Sequence, residues 1–133
     1  MDEIVTNFLI ASANPRELSE FYALVCNGKA IKGFNPSHFL IMYRQNYKIQ
    51  IYKPSAEFIK PSGGLPALSI CFQKQSNPEP FLKLKEWCEE IVKLGAVVYR
   101  EPQNEFFGAE VWMSDPEGNI FLLLVPLLRS KDQ

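Results

Sequence analysis

The sequence predicts an α+β fold built from two modules with the same order of elements: one strand, one helix and three further strands. Two helices are predicted to begin 63 residues apart, at Asn14 and Asn77. The final strand-like segments of the two halves are closed by prolines 72 residues apart, Pro54 and Pro126. One apolar segment precedes each helix and three follow it, which is the pattern of a structural repeat rather than of one irregular domain.

Composition and charge place these modules in one globular domain of 133 residues, 47% hydrophobic and 22% charged. We expect a first module at about 4–54, a linker at about 55–65 and a second module at about 66–126. A net charge of −1 excludes nucleic-acid binding through bulk charge. The longest apolar stretch, 120–128, is too short to span a membrane, and the first residues have no signal-peptide pattern. The sequence therefore predicts a cytoplasmic protein with no nucleic-acid or membrane partner.

The first module is predicted to open with a buried strand over Ile4–Ser12. A helix follows, with Asn14 as its cap, Pro15 at its first position and Glu17 completing a capping box. Its apolar stripe has helical spacing and consists of Leu18, Phe21, Tyr22 and Val25. Asn27-Gly28 ends the helix. The remaining strands are predicted at about Ala30–Phe34, His38–Tyr43 and Tyr47–Tyr52, with a hairpin turn at Arg44-Gln45-Asn46.

The second module repeats this order, beginning with a strand over Ala67–Phe72. Asn77-Pro78-Glu79-Pro80 introduces a helix that ends at Leu94-Gly95, and its apolar stripe consists of Leu84, Trp87, Cys88 and Ile91. The segment Glu101–Gly108 has no clear periodicity and is predicted to be a loop. The remaining strands are predicted at about Val97–Tyr99, Glu110–Ser114 and Ile120–Val125, with a hairpin turn at Asp115–Asn119.

Two motifs within this order resemble those of the vicinal-oxygen-chelate superfamily, which includes glyoxalase I, bleomycin-resistance proteins and extradiol dioxygenases. One is the aromatic pair Phe21-Tyr22 followed by Gly28, and the other is the D-P-x-G-N turn at Asp115–Asn119. The resemblance covers about residues 4–126. It implies a curled mixed sheet around a central cleft, formed by two βαβββ modules. It also implies a homodimer.

Enzymes of this superfamily usually hold a divalent metal with His, Gln or Glu from the first and last strands of both modules. The resemblance transfers these positions to Asn7, Gln50, Ala67 and Leu122. Leucine and alanine side chains cannot bind a cation, and the amides are weak ligands for most transition metals. We therefore expect no metal and no other cofactor, and the sequence leans away from a metal-dependent enzyme.

Strand alternation predicts which residues of the modules face the cleft. One face mixes apolar and polar side chains, and its members are Asn7, Leu9, Gln50, Tyr52, Ala67, Ser69, Leu122 and Leu124. The opposite face is apolar and is predicted to pack on the helices through Phe8, Ile10, Ile49, Ile51, Leu68, Ile70, Phe72, Phe121 and Leu123. The candidate ligand-binding residues are Asn7, Gln50, Tyr52, Ser69, Trp112 and Leu122, since a few polar groups in an apolar pocket are typical of small-molecule sites. The alternative is a closed core or a dimer interface.

The leading hypothesis is a metal-free protein of the glyoxalase/bleomycin-resistance type that binds a small organic ligand. One alternative is a lyase, epimerase or dioxygenase with a non-standard site, or with metal-free acid–base chemistry at His38 or Tyr52. The other is a non-catalytic interaction module. His38 is the single histidine, and the simpler expectation is a solvent-facing or merely hydrogen-bonded ring. The three cysteines have no metal or redox spacing and are predicted to be small buried hydrophobic residues.

Overall fold

The computed structural model describes residues 7–44, 47–54 and 68–129. The chain divides into two compact units, residues 1–63 and 64–133. Within the described residues, each unit holds one helix and one mixed four-stranded sheet, in the order β-α-β-β-β. The predicted α+β class and the two βαβββ modules are confirmed. The predicted linker at 55–65 and the turn residues 45 and 46 lie outside the described part of the chain.

The first module consists of β1 (Asn7–Ala11), α1 (Pro15–Val25), β2 (Lys29–Lys32), β3 (His38–Arg44) and β4 (Tyr47–Tyr52). Its strands lie in the order β1-β4-β3-β2. β1 runs parallel to β4, and the other neighbours are antiparallel. The predicted helix stripe is buried, and so are Phe39, Ile41, Ile49 and Ile51 of the sheet. Burying each of these large apolar side chains contributes roughly 1.5–3 kcal/mol, so this interface forms the core of the module.

The prediction that Asn14 caps α1 is wrong, because its side chain makes no capping hydrogen bond. The Asn14 backbone, at φ −133° and ψ 75°, departs from the extended geometry in which a capping side chain reaches the first turn. Instead, the Ser12 hydroxyl accepts a hydrogen bond from the Asn14 N–H at 2.9 Å. The end of the helix is as predicted, since Asn27 adopts a left-handed φ of 54°.

The second module consists of β5 (Cys71–Gln73), α2 (Pro80–Lys93), β6 (Val97–Glu105), β7 (Gly108–Ser114) and β8 (Ile120–Pro126). Its strands lie in the order β5-β8-β7-β6, with β5 parallel to β8. The predicted stripe of α2 is buried in full, and the helix packs on β7 and β8, whose buried residues include Val111, Met113, Phe121 and Leu123. No helix within the described residues is long and apolar enough to cross a membrane.

Two elements of the second module differ from their prediction. β5 begins at Cys71 rather than at Ala67, and Leu68, expected to pack under the helix, is 78% exposed. The segment Glu101–Gly108 is not a loop, because β6 runs through it to Glu105 and a tight turn leads to Gly108. The β6–β7 register shifts twice, which breaks the side-chain alternation that would have indicated a strand.

The predicted hairpin turn at Asp115–Asn119 is confirmed, and one buried carboxylate holds it. Asp115 Oδ1 accepts from the backbone N–H groups of Glu117 and Asn119, at 2.8 and 2.9 Å. Asp115 Oδ2 accepts from the Asn119 side-chain amide at 2.8 Å. Since these bonds lie within the turn, Asp115 has the structural role expected of it.

Candidate functional site

The first module presents a mixed polar and apolar set of side chains on the sheet face opposite α1. Leu9, Gln50 and Leu40 are level with one another on three adjacent strands and share this face. Asn7 and Tyr52 lie on the same face by alternation along their strands. Leu9 is 63% exposed, whereas Ile49 and Ile51 on the other face are fully buried. The face opposite α1 is therefore chemically distinct from the core of the module.

His38 connects this face to the loop between β2 and β3. The backbone N–H of Phe34 donates to His38 Nδ1 at 2.9 Å, and His38 Nε2 lies 2.9 Å from Gln50 Oε1. The Phe34 ring stacks on the imidazole at a centroid distance of 5.1 Å and an interplanar angle of 5°. Phe34 is 94% exposed and His38 only 7%. The expectation of a hydrogen-bonded histidine is confirmed, and that of a solvent-facing one is wrong, because Phe34 covers the ring.

Gly33 makes room for this histidine. A Cβ on Gly33 would overlap the His38 ring, so no other amino acid fits without displacing it. The loop is also closed by a hydrogen bond from the Gly33 N–H to the His38 carbonyl at 2.7 Å. The imidazole is thus held by a backbone donor, a stacked ring and a tight backbone contact.

Asn7 carries the second polar feature of this face. Its Oδ1 is buried and has no hydrogen-bond partner within the described part of the chain. Such an atom is costly unless it is paired, typically by about 1–3 kcal/mol. An unpaired buried acceptor beside an exposed leucine is the kind of group that a ligand donor satisfies.

In the second module, the face opposite α2 carries Leu122 and Trp112, which lie level with Cys71 across three strands. Both Leu122 and Trp112 are half-buried. Ser69 is half-buried as well and precedes the strand. These candidate residues belong to a different unit from Asn7, Gln50 and Tyr52, and their contact with a ligand stays a prediction.

The resemblance assigned four residues to the metal-ligand positions of the superfamily. The strand register of the structure replaces one of them, Ala67, by Ser69. Asn7 lies two residues before Leu9, the partner of Gln50. Ser69 lies two residues before Cys71, the partner of Leu122. Ser69 is therefore the equivalent of Asn7, and Ala67 lies outside the described residues.

These positions do not fit a divalent metal. Leu122 offers no donor atom, and the Gln50 side-chain oxygen is already bonded to His38. The remaining positions, Asn7 and Ser69, are neutral oxygen donors. No group of three or more His, Cys, Asp or Glu side chains that could hold a metal occurs within residues 7–44, 47–54 and 68–129.

Glu110 is a titratable residue that the sequence reasoning missed. It lies level with Leu124 and Gln103, on the same face of the sheet as Trp112. Burial, and then the nearby Glu105 carboxylate, raise the pKa of Glu110. The signal was available in the sequence, since alternation along β7 sets Glu110 and Trp112 on one face and Ala109, Val111 and Met113 on the other.

The prediction that the three cysteines are buried is correct for Cys88 and wrong for Cys71, which is exposed, and Cys26 is half-buried. None of them has the environment of an activated nucleophile. Burial raises the pKa of Cys26, Cys71 and Cys88, so each thiol favours its protonated form. Glu110 raises the pKa of Cys71 further through charge repulsion. Cysteine chemistry is therefore not favoured at the face opposite α2.

Several solved structures are similar in fold to this chain over more than 90% of its length. A glyoxalase/bleomycin resistance protein/dioxygenase family enzyme from Burkholderia phytofirmans has a TM-score of 0.68 at 19% identity, over 92% of this chain and 97% of that one. A lactoylglutathione lyase from Agrobacterium tumefaciens has a TM-score of 0.63 at 14% identity, over 93% and 94%.

A third similar structure is the fosfomycin resistance protein FosX from Listeria monocytogenes, solved as a mutant with manganese(II) and a dihydroxypropylphosphonic acid. Its TM-score is 0.67 at 17% identity, over 96% of this chain and 95% of that one. No family model and no curated protein matches the sequence. The predicted resemblance is confirmed at the level of the fold.

Proposed function

From the fold of the vicinal-oxygen-chelate superfamily, we propose that this chain is a metal-free protein that binds a small organic ligand. The ligand lies on the sheet face opposite α1, with its apolar part against Leu9 and Leu40. Asn7, Gln50 and Tyr52 orient its polar part. The observation that carries the proposal is the Gln50 amide, fixed by His38 on a face whose neighbouring strands contribute leucines at the same level.

Ligand binding without a metal fits the donor atoms better than metal-dependent chemistry does. A catalytic metal site needs about three protein ligands and an open position. Here Leu122 offers none, and His38 uses both ring nitrogens in hydrogen bonds. Both bonds also weigh against His38 as a proton shuttle, because a shuttle needs a nitrogen that faces the reacting group.

Binding is tested with the fluorescent probe 8-anilinonaphthalene-1-sulfonate, which combines an apolar ring system with hydrogen-bond acceptors. We expect saturable binding with one site per chain. Gln50→Ala should raise the dissociation constant about 3- to 10-fold, the loss expected for one hydrogen bond. The matched control is Gln75→Ala, an exposed glutamine after β5, which should leave it unchanged. Unsaturable binding, or equal effects of the two variants, would contradict the proposal.

Metal content is measured separately on protein purified without chelator or metal-affinity tag. We expect less than about a tenth of an equivalent of any transition metal, because the four positions lack a suitable donor set. A value near one equivalent would overturn the metal-free proposal and direct attention to lyase, epimerase and dioxygenase assays.

A homodimer and a cytoplasmic location remain part of the proposal. The superfamily resemblance supports the dimer, and the sequence supports the location. Light scattering on the purified chain distinguishes a monomer from a dimer directly. A monomer at all concentrations would remove the dimer from the proposal without affecting the ligand test.

A further inference from the structure

The hydrogen bonds of the His38 ring indicate which tautomer its neutral form adopts. The Phe34 backbone N–H donates to Nδ1 at 2.9 Å, so Nδ1 carries the lone pair. In a neutral imidazole the other nitrogen then holds the hydrogen. His38 Nε2 is therefore the donor in its 2.9 Å contact with Gln50 Oε1.

This donor fixes the orientation of the Gln50 amide. If the amide were reversed, its NH2 group would face the Nε2–H, and two donors would oppose each other. The oxygen thus stays on the histidine, and both N–H bonds of the amide are left for other partners. Within the described residues, no acceptor is bonded to the Gln50 amide nitrogen.

The surroundings of the amide contain no strong acceptor at the same level of the sheet. Leu9 on β1 and Leu40 on β3 flank Gln50 and share its face. Gln50 as a residue is half-buried, and with leucines on both neighbouring strands its amide nitrogen has water or a ligand as its acceptor. The neighbouring apolar surface favours a ligand that carries an acceptor on an apolar body.

We propose that His38 is a positioning residue that directs the Gln50 amide nitrogen at the ligand, which therefore carries a carbonyl or similar hydrogen-bond acceptor on an apolar body. This inference rests on the proposed function and specifies its ligand class. The ring is suited to the role because Gly33 and Phe34 hold it in place. A mobile imidazole would leave the amide free to present either end.

Two probes of nearly equal shape test the acceptor. 2-Acetylnaphthalene carries a carbonyl, and 2-ethylnaphthalene has no polar group. We expect the natural chain to bind the acetyl compound about 5-fold more tightly in competition with 8-anilinonaphthalene-1-sulfonate, the preference that one hydrogen bond supplies.

Gln50→Glu tests the direction of the amide with almost no change of shape. Its carboxylate still accepts from His38 Nε2, but presents oxygen where the amide presented N–H. We expect the preference for the acetyl compound to disappear or reverse. The control Gln75→Glu adds the same charge at an exposed position and should retain the preference.

His38→Phe tests the positioning role, since it keeps a ring under Phe34 and removes the Nε2–H. The preference should fall to about 2-fold or less, because the amide can then rotate. A merely structural role would weaken both probes equally and leave their ratio unchanged. If this variant does not fold, nitrogen NMR of the single histidine replaces it and should show the Nε2–H form.

The outcomes separate this inference from the proposed function. Equal affinity for the two naphthalenes in the natural chain would leave ligand binding in place and overturn the inference. A preference that survives Gln50→Glu, or a histidine protonated on Nδ1, would overturn it as well. If the dye binds saturably and neither naphthalene displaces it, the inference is wrong and the proposed function stands. If the dye itself does not bind saturably, both are wrong.

Discussion

The two modules share strand order and strand pairing, yet the sheet faces opposite their helices differ. In the first module this face carries Asn7, Gln50 and a buried His38. In the second, Leu122 lies where the first has Gln50, with Trp112 beside it, and the Glu110 carboxylate lies on the same face. The helix-facing sides of both sheets are apolar and buried. The core residues and the residues of the proposed ligand site therefore lie on opposite sides of the same strands.

The largest effects are expected when one buried leucine in the core of each module is replaced by alanine, which tests whether the two cores are equivalent. Leu18 on α1 and Leu84 on α2 are both buried, at 1% and 0% exposure. Leu18→Ala and Leu84→Ala should each lower the free energy of unfolding by about 2–5 kcal/mol, measured by urea denaturation.

The exposed leucines of the same helices, Leu24 and Leu82, are the controls. Their replacement by alanine should change the free energy of unfolding by about 0.5 kcal/mol or less. A small effect for one buried leucine and a large one for the other would show that the modules are not equivalent cores.

The second test concerns the turn that closes the β7–β8 hairpin. Asp115→Ala removes three hydrogen bonds to a buried carboxylate and should cost about 2–3 kcal/mol of unfolding free energy. Asp115→Asn keeps an acceptor for both backbone bonds and gives up the bond to the Asn119 amide, so it should cost less than half as much. Equal costs for the two variants would show that charge, rather than the backbone bonds, holds the turn.

The third test compares the segments that lead into the helices. Ser12 accepts from the Asn14 N–H in the first module, and Asn77 accepts from the Glu79 N–H at the same spacing in the second. Ser12 is buried, whereas the Asn77 bond is exposed. Ser12→Ala should therefore cost about 1 kcal/mol and Asn77→Ala a few tenths, by thermal denaturation.

Asn14→Ala serves as the reference for this pair, since the Asn14 side chain makes no capping bond. It should change stability by less than about 0.5 kcal/mol, below the usual cost of losing a cap. A decrease of about 1 kcal/mol in the free energy of unfolding would show instead that Asn14 caps the helix.

The smallest expected effect involves Glu110, the carboxylate on the face opposite α2. Because burial raises its pKa above the ordinary 4.5, the folded chain binds this proton more tightly than the unfolded chain does. Stability therefore falls as pH rises from about 4.5 through the raised pKa. Glu110→Gln should raise the melting temperature at pH 7 by about 1–2 °C, and the gain should vanish below pH 4.5. Exposed Glu86→Gln on α2 is the control and should show no such trend.

Much of the fold could be predicted because helical spacing and strand alternation are local. The stripes of α1 and α2 and the faces of Gln50 and Leu122 follow from periods of 3.6 and 2. The start of β5 could not be found this way, because apolar residues continue from Ala67 while pairing begins only at Cys71. The start of β5 is set by pairing with β8, about 50 residues further along the chain, and the local sequence pattern does not reveal where that pairing begins.

The candidate site could be predicted only where it depends on local side-chain alternation. Alternation placed Asn7, Gln50 and Tyr52 on one face, but the bond between His38 and Gln50 depends on the register of the β3–β4 hairpin. The hairpin had been recognised, so counting residues back from the turn could have brought them together. The strand within Glu101–Gly108 was not predicted, because its irregular pairing with β7 removes the side-chain alternation by which a strand is recognised.

The contact between Gly33 and the His38 ring has a consequence for evolution. A lineage that keeps histidine at 38 must keep glycine at 33, and one that loses the histidine is released from that constraint. Together with Gln50 this defines the pattern Gly-x4-His-x11-Gln. We expect the three positions to change together among homologues, so that the pattern separates proteins sharing the His38–Gln50 contact from those sharing the fold alone.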